Sequence, residues 1–420
     1  MDNSIIIKNA QVATPIGCKA AKGPEMAVLN KIENAVIIAK DGKILYCGPG
    51  STMPEVDVDS FEVIDAEGKV VLPGFVDSHT HLVFGGFRPD EFEWRLKGDS
   101  YMSIMERGGG IQSTVNSTKE TPEEPLIEKA QWFIDRMSEM GVTTVEAKSG
   151  YGLDTPTEIK MLDVISSLSD KPDQKLRIVS TFLGAHAVPQ EYKGRSDEYI
   201  DLMIKEMLPT VKGKASFCDI FTEKNVFEIE ESRRFMQAAK DAGFKLKFHA
   251  DEIVTLGGAE LAAELGAVSA DHLLHVSDEG IEAMAKSGTV ATLLPLTAFA
   301  LREPYAPARK FIDSGVAGAL ATDLNPGSCF SGAIPLTIAL ACIYMNMSIE
   351  ETITALTLNG AAALDLADVT GSLEEGKDAD IIILEFDNYK VLPYYVGMNC
   401  VNTVISKGRV ISRKKNLLIS

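Results

Sequence analysis

Eight short apolar runs, each closing on polar residues, limit what this chain can fold into. They span residues 75–81, 142–148, 177–186, 217–222, 245–249, 268–272, 289–295 and 317–323 and read as buried strands. Amphipathic stretches lie between them. Residues 227–242 stop at Gly243, 256–265 stop at Gly266, and 278–286, which Ser277 can cap, stop before Gly288. Glycine just past a helix is the usual stop signal, because it takes the left-handed conformation without a Cβ clash. Eight buried strands with helical crossovers predict a parallel (β/α)8 barrel of the TIM type.

The polar chemistry gathers at the C-terminal end of each run. The ends read His79-Thr-His81, Glu146 through Tyr151, Gly184-Ala-His186, Thr222-Glu223, His249-Ala-Asp-Glu252, Asp271-His272, Pro295-Leu-Thr297 and Asp323-Leu-Asn325. Of the six histidines (79, 81, 186, 249, 272 and 275), five sit at predicted strand ends and the sixth lies three residues beyond one. Barrel enzymes build their sites on this rim.

Residues i and i+2 of a strand share a face, so His79 and His81 can aim at one point. Neutral imidazole is a common ligand for divalent transition metals. His249 and Asp323 each end a further apolar run. Three imidazoles and one carboxylate make a complete protein ligand set that leaves a place for water. Glu252 follows His249 closely enough to support it or to meet a substrate.

Before the barrel, β-rich runs at 4–8, 34–39, 44–47 and 61–65 are separated by turn signals, and 13–30 reads as an exposed loop. After it, Ser348 to Glu351 forms a capping box, and strands follow at 381–385, 401–406 and 409–412. Both chain ends are therefore expected to join in one small β-sandwich: residues 1–73 and 367–420 around a barrel of 74–366. The formal net charge of −19 opposes binding to nucleic acid or an anionic membrane. No basic leader opens the chain, and the longest apolar stretch, 333–347, is shorter than the ~20 residues a membrane span needs. Six cysteines without CxxC spacing read as reduced thiols of a cytoplasmic protein.

Pro73-Gly74 leading into a strand that ends Asp77-Ser-His-Thr-His81 resembles the first barrel strand of the amidohydrolase superfamily. Further stretches resemble a histidine-degrading branch of it. They are 79–86 with Arg88, Glu91 and Arg95; Gly108-Gly-Gly-Ile111; 143–153; 182–189; Cys218-Asp219; 249–252; 269–272; and 321–328. Leu274 and Cys329 are small departures. The resemblance implies hydrolysis of a cyclic amide, 4-imidazolone-5-propanoate opening to N-formimidoyl-L-glutamate. It implies a single divalent ion, zinc or iron, because the fourth strand ends Thr222-Glu223-Lys224 where two-metal members place a bridging lysine or acid.

For the site it implies His79, His81, His249 and Asp323 as metal ligands, with Asp323 also taking a proton from the attacking water and passing it to the leaving nitrogen. Arg88 would pair with the propionate. Tyr151, His186, Asn325, Gly327 and Ser328 would be further substrate contacts, with backbone N–H groups of the 325–328 loop open to an anion. His272 and Glu252 would divide between polarising the carbonyl and orienting the ring, in either assignment. A homodimer is what the resemblance suggests. Two rivals stand beside this reading: an aminohydrolase acting on a purine or pyrimidine, and a barrel kept as a non-catalytic scaffold, which would be expected to lack ligands.

Overall fold

The computed structural model describes residues 3–99, 107 and 109–414. Gly108, the first glycine of the run quoted above, lies outside them. The chain opens with β1 (Ile5–Thr14), β2 (Asn30–Lys40), β3 (Lys43–Pro49), β4 (Glu62–Asp65) and β5 (Val70–Pro73). The barrel strands are β6 (Phe75–Asp77), β7 (Val142–Lys148), β8 (Arg177–Ala185), β9 (Phe217–Thr222), β10 (Lys245–Ala250), β11 (Ser269–His272), β12 (Val290–Leu293) and β13 (Gly318–Leu320). The chain closes with β14 (Ile381–Leu384), β15 (Val401–Ser406) and β16 (Arg409–Arg413).

Both chain ends meet in one hydrogen-bonded sheet of order β16-β15-β14-β5-β1-β2-β3. The last strand before the barrel, β5, pairs antiparallel with the first strand after it, β14. One edge of β1 carries β2, and the other is shared by β4 and then β5 in parallel. Alternate residues Ile5, Ile7, Ile37, Ala39, Ile381 and Ile383 enclose a core of their own. Residues 13–30 are less exposed than expected. Met26 is fully buried under β13, its sulfur accepting from Gly318 N at 3.4 Å, and Asn359 exchanges two hydrogen bonds with the Ala21 backbone.

The eight barrel strands pair in parallel in sequence order. The helices Gly258–Leu265 and Asp278–Ser287 between them end by the glycine rule: Gly266 and Gly288 are left-handed, with φ of 68° and 85°. Ser277 and Ser348 cap the helices that follow them, and the second forms a full capping box.

The first and last barrel strands are shorter than the apolar runs predict. β6 stops at Asp77 and β13 at Leu320. The reason lies in how the barrel closes. Asp77 Oδ1 accepts from Thr322 N at 3.0 Å and Oδ2 from Thr322 Oγ1 at 2.6 Å, so a side chain replaces the strand ladder. Beyond that seam the backbones pair again: Asp323 N donates to His79 O (3.0 Å) and His81 N to Leu324 O (2.8 Å). Asp77 is fully buried. Asp77→Ala would strand a buried N–H and a hydroxyl, at about 1–3 kcal/mol each. We expect a clear drop in thermal midpoint by circular dichroism, with Asp77→Asn losing less.

Candidate active site

Closure of the barrel sets the first two histidines. The 79–81 segment is held from both sides, by the seam bonds above and by Lys148 N donating to Thr80 O at 3.0 Å. His79 Nε2 and His81 Nε2 then each lie 3.5 Å from Asp323 Oδ1, and His249 Nε2 lies 3.5 Å from His81 Nε2. Four ligands at about 2.1 Å around one ion in tetrahedral array stand about 3.4 Å apart. His79, His81 and Asp323 offer donor atoms within 4.8 Å of one another, and His249 joins them from the side of His81; His249 also groups with His79 and His272 and with His81 and His186. Two of these atoms, His79 Nε2 and Asp323 Oδ1, are buried without a hydrogen-bond partner among the described residues. Such atoms are costly unless something else satisfies them, and a divalent cation fits that need.

His272 and His186 flank the quartet. The His272 ring centre lies 5.1 Å from that of His249, and His186 stacks on His81 at 4.9 Å. Burial, helped by positive neighbours, holds His79, His81 and His272 well below the usual imidazole range. Burial and His249 bring His186 down to about 3. Neutral rings are the form that ligates. His249 differs: burial works against its charge, but Asp219 outweighs burial and its pKa is raised. Asp323 is pushed up to about 6 by burial, against a hydrogen bond from Thr297. Glu252 is pushed up to about 8 by burial and then by Asp323, and its Oε1 lies 3.5 Å from His272 Nδ1.

A set of charged residues that the sequence reading did not place in the site supports the ligands. His79 Nδ1 is 2.6 Å from Asp271 Oδ2, and His249 Nδ1 is 3.0 Å from Asp219 Oδ2, the latter a close electrostatic contact without hydrogen-bond alignment. Lys148 Nζ joins Asp219 (2.7 Å) and Glu146 (3.0 Å), and Lys247 Nζ lies 3.3 Å from Glu146. All five side chains are fully buried. Burial alone would strip the proton from Lys148, but Asp219, Glu146 and Asp271 together raise its pKa. Glu146, Lys148, Asp219 and Asp271 lie in the strand-end and resemblance stretches quoted above, but only charge inside an apolar strand at i, i+2 spacing, Glu146 with Lys148 and Lys247 with His249, hints at their inward role.

The rim loops place the remaining candidates. Glu158 accepts from Gly150 N, Gly152 N and Leu153 N and so fixes Tyr151, whose ring lies 5.2 Å from His186 and 5.7 Å from His81. Asp251 spends its carboxylate on Leu256, Gly257 and Ala259 N–H groups, leaving Glu252 to face His272. Glu91 Oε2 accepts from Arg88 Nε (2.9 Å), Arg88 Nη2 (2.6 Å) and Gly110 N (3.1 Å). Arg88 Nη1 then lies over Gly327, where a Cβ would approach it to 2.4 Å. Any Cβ at this position would force the guanidinium to shift.

The 325–328 loop differs from expectation. Its backbone N–H groups are not open to an anion: Asn325 Oδ1 accepts from Gly327 N (2.8 Å) and Ser328 N (2.7 Å). Asn325 Nδ2 donates to Asp323 O and Ser328 Oγ. An Asx-type turn has consumed the donors, and Asn325 serves the loop that carries Asp323.

A parallel eight-stranded barrel with buried imidazoles and a carboxylate on its C-terminal rim defines the class of barrel hydrolases that work through a bound metal. Residues 70–411 match the model of the amidohydrolase family. The chain is 60% identical over 413 residues to imidazolonepropionase of Phocaeicola vulgatus, covering 98% of this chain and 99% of the relative. It is 61% identical over 414 residues to imidazolonepropionase of Bacteroides thetaiotaomicron, with 97% and 99% covered. Among solved structures, 5-methylcytosine deaminase from Klebsiella pneumoniae superposes with a TM-score of 0.74 at 18% identity, covering 99% of each chain, which speaks to the fold alone. The chain belongs to the amidohydrolase family and, within it, to the imidazolonepropionases.

The Asp271 contact yields a test. Asp271→Asn can present an amide donor to His79 Nδ1 and move the ring proton to Nε2, the atom aimed at Asp323. We expect affinity for zinc to fall about 10- to 100-fold, measured by competition with a chromogenic chelator.

Proposed function

We propose that this hydrolase opens the ring of 4-imidazolone-5-propanoate to N-formimidoyl-L-glutamate, with one divalent ion, zinc or iron, held by His79, His81, His249 and Asp323. The observation that carries the reading is the cluster of His79, His81 and Asp323 donor atoms, with His249 beside His81, under a clamped guanidinium over the loop from Asp323 to Ser328. The names of the relatives support the same substrate class. A divalent ion supplies Lewis acidity and lowers the pKa of coordinated water from ~16 to ~7.

The chain's own groups do the rest. Asp323 has one oxygen tied to Thr297 and the other free of hydrogen bonds, so it can take a proton from the attacking water and return it to the departing ring nitrogen. His272 and Glu252 face each other at 3.5 Å, and together they polarise the carbonyl and orient the ring. Tyr151 and His186 form a wall beside His81. Arg88 and Arg95, against Glu91, leave one net positive charge beside Gly327 to receive the propionate.

Asp323→Asn should reduce ring opening to background, followed by loss of imidazolone absorbance, and near-normal turnover would remove Asp323 as the proton carrier. Arg88→Met should raise KM about 10- to 150-fold with a smaller change in kcat, the equivalent of about 1.5–3 kcal/mol. Product assay should find formimidoyl-glutamate without ammonia. Ammonia release would favour an aminohydrolase instead.

A further inference from the structure

Glu252 stands on a short stretch of rim between two anchors. On one side Asp251 is pinned. Its carbonyl accepts from His275 N at 2.9 Å, and its carboxylate takes the N–H groups of Leu256, Gly257 and Ala259. On the other side Thr255 Oγ1 donates to the His275 carbonyl at 2.5 Å. Glu252, Ile253 and Val254 lie between. Apolar packing does not fix this stretch, because Ile253 is 60% exposed.

Glu223 supplies the missing hold. It is the first residue after β9, and β9 pairs with β10 so that Thr222 lies beside Ala250. Glu223 Oε2 accepts from Ile253 N at 2.8 Å, and Val254 N lies 3.5 Å from the same oxygen. Among the described residues, no other group accepts from these two N–H groups. A carboxylate is a stronger acceptor for backbone N–H than a neutral oxygen. Glu223 is itself locked. Its Oε1 accepts from Lys224 N at 2.8 Å, its N–H donates to the Phe227 carbonyl at 3.1 Å, and the residue is buried.

We infer that Glu223 is the positioning residue for Glu252, fixing from the neighbouring strand end the backbone that carries it. The inference rests on the reading of Glu252 and His272 as the groups that polarise the carbonyl and orient the ring. Glu252 Oε1 lies 3.5 Å from His272 Nδ1, and that facing depends on where the backbone at 252 to 254 is held. Both Glu223 oxygens are taken by backbone N–H groups, so it acts through Glu252 and not on the substrate. Misplacing a group that meets the substrate by about 1 Å costs on the order of 100-fold in rate.

The test compares the full-length wild type with Glu223→Gln, Glu223→Met, Glu252→Gln and the double variant Glu223→Met/Glu252→Gln. Glu223→Met keeps the volume without an acceptor, and Glu223→Gln keeps one carbonyl oxygen for Ile253 N. We expect Glu223→Met to lower kcat/KM for ring opening about 10- to 100-fold, divided between kcat and KM as Glu252→Gln divides it. Glu223→Gln should recover most of that loss. In the Glu252→Gln background, Glu223→Met should cost less than about twofold. Hydrogen exchange gives a readout that needs no turnover: the Ile253 and Val254 amides should exchange faster in Glu223→Met and at close to the wild-type rate in Glu223→Gln. Unchanged exchange in Glu223→Met, an equal loss of activity in both backgrounds, or a Glu223→Gln as impaired as Glu223→Met overturns the inference. So does a Glu223→Met that fails to fold, since the residue then serves the barrel as a whole. If Glu252→Gln alone turns over at the wild-type rate, the role given to Glu252 fails instead, and the exchange arm still decides whether Glu223 holds the loop.

Discussion

Two ammonium groups buried among three carboxylates form the interaction on which the rest of this barrel depends. Taking each charge out of water costs several kcal/mol even after relaxation, so none of the five could stand alone. Their mutual distances of 2.7 to 3.8 Å offset that cost. The hydrogen bonds of Ser269 to Asp271 and Thr181 to Glu146 satisfy further oxygens. The same carboxylates face the imidazoles. Asp271, paired with lysine, accepts a hydrogen bond from His79 Nδ1 and so leaves Nε2 bare toward Asp323. The orientation of the imidazoles at the rim is thus inherited from charge pairing inside the barrel.

That rigidity allows an unusual backbone at the site. His272 and Asp323 sit at φ of 74° and 53°, a region L-residues avoid at a cost of order 1–3 kcal/mol. Asp323 is over-determined there: its N–H donates to His79, its carbonyl accepts from Asn325, and one carboxylate oxygen is tied to Thr297. The left-handed turn directs the carboxylate back toward the histidines when a continuing strand would carry it past them. Asn325, expected as a substrate contact, also keeps this turn in place.

The barrel, its strand order and the gathering of histidines and Asp323 on one rim were legible in the sequence because each leaves a local mark: an apolar run, a glycine stop, a polar residue at a strand end. What stayed hidden was set by pairing across long separations. Asp77 and Thr322 are 245 residues apart, and His79 and Asp271 are 192 apart. No window of the sequence contains both partners. The early ends of β6 and β13 follow from this, since a carboxylate closes the seam where an apolar pattern predicts a ladder. The orientation of Asn325 was hidden for another reason: an asparagine that contacts a ligand and one that closes an Asx turn have the same neighbours in the chain.

Charge must also be reconciled at the mouth. A chain with a formal net charge of −19 repels an anion at long range, but at physiological salt that field is screened within about 8 Å. Beyond the first contact only local groups matter, and Arg88 and Arg95 stand close enough that burial and their mutual repulsion lower the Arg95 pKa. Glu91 makes the pair tolerable. It takes one edge of the Arg88 guanidinium and the Gly110 N–H on a single oxygen, leaving Nη1 toward Gly327. A guanidinium held this way has lost its rotamer freedom before a substrate arrives, so the ordering cost of about 0.5–1.5 kcal/mol is not charged against binding. The acid that appears to cancel the attraction is therefore what makes the remaining positive charge directional.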